Sequence, residues 1–325
     1  MLYSNTMNPN RLPERINKVI DKTLTDKRLA GVVIKVALDG QLIYSRAAGY
    51  ASRELDQPMR EDALFRLASV SKPYTSTAAL ILVAQGRLKL DDRVDRWLPG
   101  FQPRLENGET PAMTVRHLMT HTAGLTYRFF QEEGGSYEQA GVSDGMDQSG
   151  ITLEENLKRL ASVPLLYHPG TQWRYSIATD VLGAVIANVS GKTLSETVRS
   201  LITRPLDLTD TSFVAVDPQR LASAYADDVP GLRLMENPDR LAFVEGTAGF
   251  HLAPDRALDS TAYPSGGAGM VGSAGDFPAA AGDVAQRRCA AIAGVSGPRN
   301  DGQPDWRSAH ALLAGTGFRP RDDRP

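Results

Sequence analysis

Residues 77–85, Thr-Ala-Ala-Leu-Ile-Leu-Val-Ala-Gln, constrain this chain more than any other stretch, because a helix that is apolar on every side has to be enclosed by the rest of the fold. Gly86 supplies a stop at its C-terminal end. Upstream, Pro73 has no N–H to donate and fits only within the first turn, where that group would lack a partner in any case. A buried helix is therefore predicted over 71–85, beginning close to Ser69.

The surrounding pattern places this helix in a mixed fold. Residues 13–27 carry Ile16, Val19, Ile20 and Leu24 at helical spacing, which predicts an amphipathic helix lying on another element. Two short apolar runs, Gly31–Leu38 and 41–48, flank Asp39-Gly40, a dipeptide suited to the positive φ angles of a tight turn, and so predict an antiparallel hairpin. Further helices are predicted over 115–121, over 153–162 with Thr152 and Glu155 as a capping box, over 177–190 ended by Gly191, and over 194–203. Early strands and a glycine-rich 264–275 segment bracket this helical middle. The predicted class is α/β (α+β), with a helical lobe of about residues 75–215 inserted in a lobe that holds the strands. No repeat or linker divides the chain, and 325 residues with 42% apolar side chains can bury a sizeable core.

Composition narrows the function. The formal net charge is −2 and neither Lys nor Arg gathers into a stripe, so no nucleic-acid or anionic-membrane partner is expected. No run is long enough to span a bilayer, and residues 1–15 lack the apolar core of a signal peptide. The single Cys289 cannot form an internal disulfide, in keeping with a reducing compartment. The expectation is a cytoplasmic enzyme acting on a small molecule, with no cofactor; oligomeric state is not legible.

A bare Ser-x-x-Lys arises by chance about once in a chain of this size. Its setting here is Phe65-Arg-Leu-Ala-Ser69-Val-Ser-Lys72-Pro73, at the start of the buried helix. Free backbone N–H groups and the positive end of the helix dipole favour developing negative charge there, and a spacing of three puts Lys72 on the face of Ser69. Serine needs an adjacent base to act as a nucleophile. A nearby ammonium lowers the pKa of a phenol, and either that phenolate or the neutral amine can take the serine proton. The candidate phenol is Tyr175, in Trp173-Arg-Tyr175-Ser-Ile177 at the entrance to another apolar helix. The sequence leaves open which of Lys72 and Tyr175 is the base. The bland alternative for Ser69 and Lys72 is a helix cap followed by a solvated lysine, and for Tyr175 a half-buried aromatic.

Several ordered motifs raise the sharper reading. Alongside Ser69-Val-Ser-Lys72 and the Tyr175 element stand Leu118-Met-Thr-His121-Thr-Ala-Gly124-Leu125, Pro205-Leu-Asp-Leu-Thr-Asp-Thr-Ser-Phe213 and Tyr263-Pro-Ser-Gly-Gly-Ala-Gly-Met270. Over about residues 11–277 the chain resembles a family VIII carboxylesterase, the esterase branch of the class C β-lactamase and penicillin-binding-protein superfamily. The resemblance implies an antiparallel sheet flanked by helices, and cleavage of small short-chain carboxylic esters through an acyl-enzyme on Ser69, with Lys72 and Tyr175 moving the proton and the Ser69 N–H stabilising the oxyanion. Class C β-lactamases carry Tyr-x-Asn in the middle motif; Ile177 stands in the Asn place, which favours esters over antibiotics. A β-lactamase or D-aminopeptidase type of hydrolase is the alternative enzyme. Tyr127 is expected to line the substrate pocket.

Other features read as structural. His117 and His121 have a zinc-compatible spacing but lack the His-Glu-x-x-His glutamate and a third ligand, so no metal is expected, and His121 is taken to fix the turn at 122–125. The 266–275 stretch does not follow a dinucleotide fingerprint and reads as close backbone packing. The family's third element, a strand carrying Lys-Thr-Gly, His-x-Gly or Trp-Gly-Gly with the second oxyanion donor, is not found; Gly315-Thr-Gly317 is a faint echo. Residues 1–277 are assigned to the hydrolase domain, whereas 278–325 lack periodicity and read as an atypical tail. Shifting each plausible codon by one base permits a leucine-rich amphipathic helix from Pro278 to Cys289, so a one-base insertion near Pro278 is one explanation. With this tail the C-terminal strands are missing and the early hairpin keeps an unpaired edge; a non-catalytic remnant is then the third reading.

Overall fold

A computed structural model describes residues 11–38, 41–228 and 231–277. The Asp39-Gly40 turn, the 278–325 tail with its frame-shifted reading, and Gly315-Thr-Gly317 lie outside the described residues.

Pro13 in its first turn and apolar residues at helical spacing give α1 (Leu12–Thr25), which buries Ile20 and leaves Val19 to solvent. The helix lies on the hairpin: Asn17 Oδ1 accepts from the Tyr44 hydroxyl at 2.7 Å and from the Arg46 guanidinium at 2.9 Å. That hairpin is β1 (Gly31–Leu38) and β2 (Gln41–Ser52), paired antiparallel from Gly31↔Gly49 to Leu38↔Gln41 with a bulge between Val36 and Ala37. β2 runs past its predicted end at 48 because Tyr50 and Ser52 pair with β3 (Gln57–Pro58). In the resulting order β1-β2-β3, β1 has no second strand neighbour among the described residues.

Next come β4 (Leu64–Arg66), then α2 (Ser71–Ala84), α3 (Val94–Trp97), α4 (Val115–Met119), α5 (Ser136–Gln139), α6 (Leu153–Ala161), α7 (Ala178–Ser190) and α8 (Leu194–Val198). These helices hold the main core. Ala78, Ala79 and Leu82 of α2 and Val181, Leu182, Val185 and Ile186 of α7 are sealed from solvent and belong to one cluster. Each large aliphatic side chain enclosed this way contributes roughly 1.5–3 kcal/mol. Paired strands β5 (Tyr225–Asp227) with β6 (Leu232–Leu234), and β7 (Asp239–Leu241) with β8 (Phe250–Leu252), follow the helical stretch. Finally β9 (Val271–Ser273) returns to pair antiparallel with β4, from Leu64↔Ser273 to Arg66↔Val271.

Three predicted elements differ in detail. The 115–121 helix stops at Met119, since His121 adopts φ +55, outside the helical region. The 194–203 helix changes after Val198 into a π turn over Arg199–Thr203. At α6 the capping box is half formed: Thr152 accepts the Glu155 N–H at 3.1 Å, but the Glu155 carboxylate pairs with Arg159 one turn on, at 2.9 Å. Complete boxes form instead at Thr114/His117 and Thr193/Glu196.

Candidate active site

The β4–β9 pair brings the glycine-rich segment beside the start of α2, and the site is built at that junction. After β4 the chain enters a single 3₁₀ turn, Ala68–Val70, that runs directly into α2. Ala68 takes φ +43, a left-handed conformation costing roughly 1–2 kcal/mol for a residue with a Cβ. That turn leaves Ser69 exposed at the α2 entrance. Lys72 Nζ donates to Ser69 Oγ at 3.3 Å, and the Tyr175 hydroxyl, 106 residues further along, donates to the same oxygen at 2.8 Å. Lys72 Nζ also lies 4.6 Å from the Tyr175 ring centroid, within cation–π range. All three sequence-predicted residues are therefore brought together.

What fixes Lys72 was not legible in the Ser-x-x-Lys pattern. Its ammonium donates to the Gly267 carbonyl at 2.8 Å. On either side, Thr75 Oγ1 donates to the Gly266 carbonyl at 2.8 Å and Ser71 Oγ accepts the Met270 N–H at 3.0 Å, so three side chains of the first α2 turns bind one glycine-rich strand of backbone. A Cβ on Gly267 would meet Asp180 Oδ2 at 2.9 Å and the Tyr127 hydroxyl at 3.0 Å, with Lys72 Nζ at 3.6 Å. The glycines thus serve close backbone approach, as expected, and the approach is to the lysine itself.

Beneath the site lie two buried polar groups. Tyr127 is only 2% exposed, so it supports the floor under Lys72 and Tyr175 rather than lining an open pocket as the sequence suggested; its ring is 5.5 Å from Tyr175 and 5.3 Å from Lys72 Nζ. Burial, reinforced by Asp180, pushes its phenol well above the ordinary tyrosine range, which keeps it protonated. Asp180 on α7 is fully enclosed and burial raises its carboxyl pKa, partly offset by the Ser265 side chain and then by the Lys72 charge. Its Oδ1 accepts the Gly267 N–H at 3.4 Å, while Oδ2 and the Tyr127 hydroxyl have no hydrogen-bond partner among the described residues. Neither residue belonged to a motif that sequence reasoning connects to Ser69 by spacing.

The two histidines separate in role. His117 Nδ1 accepts the Thr114 N–H at 3.3 Å and completes a helix cap. His121 was expected to fix the turn at 122–125, yet its ring reaches across to the Tyr175 segment, with Nδ1 3.3 Å from the Ser176 N–H and 3.2 Å from its hydroxyl. Among the described residues no cluster of three His, Cys, Asp or Glu side chains is placed to hold a metal ion.

A serine hydroxyl bonded at once to an amine and a phenol, set between a strand pair and a buried two-helix core, is the arrangement that nucleophilic-serine chemistry calls for. The chain belongs to the Beta-lactamase family, whose model matches residues 16–311. Esterase EstB of Burkholderia gladioli is 47% identical over 266 residues, which span 82% of this chain and 68% of that protein. The solved structure of EstCE1, described as a hydrolase with promiscuous acyltransferase activity, superposes with a TM-score of 0.81 at 45% identity, covering 82% of this chain and 71% of that one. Monacolin J acid methylbutanoyltransferase of Aspergillus terreus is 30% identical over 210 residues, 59% of this chain and 49% of that enzyme. This chain thus spans from 49% to 71% of the length of these three relatives.

Proposed function

We propose that this chain hydrolyses short-chain carboxylic esters through an acyl-enzyme on Ser69. The carrying observation is that Ser69 Oγ lies within hydrogen-bond distance of both Tyr175 Oη, at 2.8 Å, and Lys72 Nζ, at 3.3 Å. Tyr175 Oη has the closer contact with Ser69 Oγ, which favours the phenol oxygen as proton acceptor, with Lys72 packed against its ring. Ser69 Oγ attacks the ester carbonyl as its proton passes to Tyr175, and the Ser69 backbone N–H is the proposed oxyanion donor. The tetrahedral species collapses, the alcohol leaves with that proton, and water repeats the sequence in reverse to release the acid.

An apolar cavity of about 180 Å³, bordered by Ala68, Met146, Leu252, Ala268 and Met270, adjoins the nucleophile turn and suits a short chain. The small neutral substrate, the lack of a cofactor and the absence of nucleic-acid and membrane partners belong to the same reading. So does a cytoplasmic setting, supported by the single cysteine; among the described residues no helix is long and apolar enough to cross a membrane. Acyl transfer to an alcohol in place of water is a second reading, favoured by the acyltransferase activity named for EstCE1. A β-lactamase or D-aminopeptidase reading is less supported, since Ile177, in the place of the class C Tyr-x-Asn asparagine, is apolar and fully buried.

Wild-type protein and Ser69→Ala assayed with p-nitrophenyl butyrate, nitrocefin and a D-alanyl peptide separate these readings. Ester turnover and fluorophosphonate labelling confined to the wild type are expected; equal ester rates in the two proteins would discard Ser69 as nucleophile, and an unlabelled, inert wild type would leave a remnant.

A further inference from the structure

We propose that His121 is a positioning residue that places the Tyr175 hydroxyl on Ser69. This rests on the reading of Tyr175 as proton acceptor and adds the device that aims it.

Tyr175 lies in the irregular stretch between α6 and α7, where no backbone ladder fixes a side chain. Both of its chain neighbours are tied to one residue. The Arg174 N–H donates to the His121 carbonyl at 2.9 Å, and the Ser176 N–H donates to His121 Nδ1 at 3.3 Å, with the Ser176 hydroxyl 3.2 Å from the same nitrogen. The imidazole then packs against the phenol between them, ring centroids 4.9 Å apart and inclined by 42°. A main-chain acceptor and a side-chain acceptor of the same residue thus hold the N–H groups of both chain neighbours of Tyr175, and the ring packs against its phenol.

Holding both acceptors toward one segment asks for a left-handed backbone, and His121 has it: φ is +55, a region that only a few per cent of residues other than Gly adopt, with His among the more frequent. Left-handed conformations of this kind persist where surrounding contacts over-determine them. The acceptor role also requires a neutral ring with its proton on Nε2. Burial, and then the positive charge of Lys72, lower the His121 pKa to about 4, which secures that state near neutral pH. Trp173, 6.4 Å away edge-on, completes the ring's surroundings on the outer side.

Reach explains why this matters for rate. Tyr175 contacts Ser69 through a single 2.8 Å bond, and proton transfer falls off steeply when such a contact lengthens by an ångström.

The test is a double-mutant cycle in the full chain. His121→Phe keeps an aromatic ring but removes the Nδ1 acceptor; His121→Asn keeps an acceptor and tolerates positive φ. With p-nitrophenyl butyrate, His121→Phe is expected to lower kcat about 10–100-fold with KM within threefold of wild type, and His121→Asn to restore kcat to within about fivefold. In a Tyr175→Phe background, His121→Phe is expected to cost less than threefold more, because the group it aims is already gone. Additive losses, wild-type kcat in a folded His121→Phe, or an unfolded His121→Asn would overturn the proposal. Full activity in Tyr175→Phe alone would instead remove Tyr175 as the acceptor, and this inference with it.

Discussion

Lys72 Nζ and the Gly267 carbonyl oxygen lie 2.8 Å apart although 195 residues separate them in the chain. The lysine that faces Ser69 is held by backbone from the far end of the described fold, so the arrangement exists only once β9 has paired with β4. Anything that moves that carbonyl moves the ammonium.

Gly267→Ala tests this directly. The added Cβ would approach Asp180 Oδ2 to 2.9 Å and the Tyr127 hydroxyl to 3.0 Å. A loss of about 1–3 kcal/mol in stability is expected from overpacking, with kcat/KM reduced at least tenfold while the protein remains folded. Urea unfolding paired with steady-state kinetics measures both.

Tyr175→Phe deletes one hydrogen bond and keeps the ring against Lys72 and His121. A fall in kcat of about 10²–10⁴ is expected, the range for loss of a general base, with an unchanged circular-dichroism spectrum and melting point. A matching rate in the variant would assign the proton to Lys72 alone.

His121 gives stability a pH dependence of known sign. Its pKa is about 4 in the fold against about 6.5 for a free imidazole, so between those values the unfolded chain binds a proton that the native state refuses. The contribution is complete above about 6.5 and is lost as pH falls through 4, amounting to about 3 kcal/mol. Asp144 slopes the other way: burial raises its carboxyl to about 7, so its stabilisation is lost as pH rises toward that value. Because Asp144 is common to both proteins, the difference between wild type and His121→Asn isolates the histidine; denaturant midpoints at pH 4, 5, 6 and 7 should show the gap narrowing as pH falls.

Asp180→Asn removes a fully buried carboxyl whose Oδ1 accepts the Gly267 N–H at 3.4 Å. Burial raises its pKa, so its contribution is favourable below the ordinary carboxylate value and lost as pH rises through the folded one. The variant should therefore melt about 2–4 °C above wild type at pH 8, with the advantage gone near pH 4. Calorimetry at both pH values decides the sign.

The sequence by itself determined the elements that local chemistry dictates. Pro73 and Gly86 bound the buried helix, Gly191 ends α7 in the left-handed conformation, and β1 spans its predicted residues. The grouping of Ser69, Lys72 and Tyr175 was also legible, because each lies in a motif that can be recognised in order along the chain. Tertiary structure decided the rest. His121 looked like a turn residue and Asp180 like one more helix position, since nothing along the chain says that an imidazole will reach Ser176 or that a carboxylate will lie under Gly267. Spacing along a helix or strand encodes which side chains share a face, whereas contacts between segments a hundred residues apart follow from how those faces pack, and it is packing that turned three motif residues into one site.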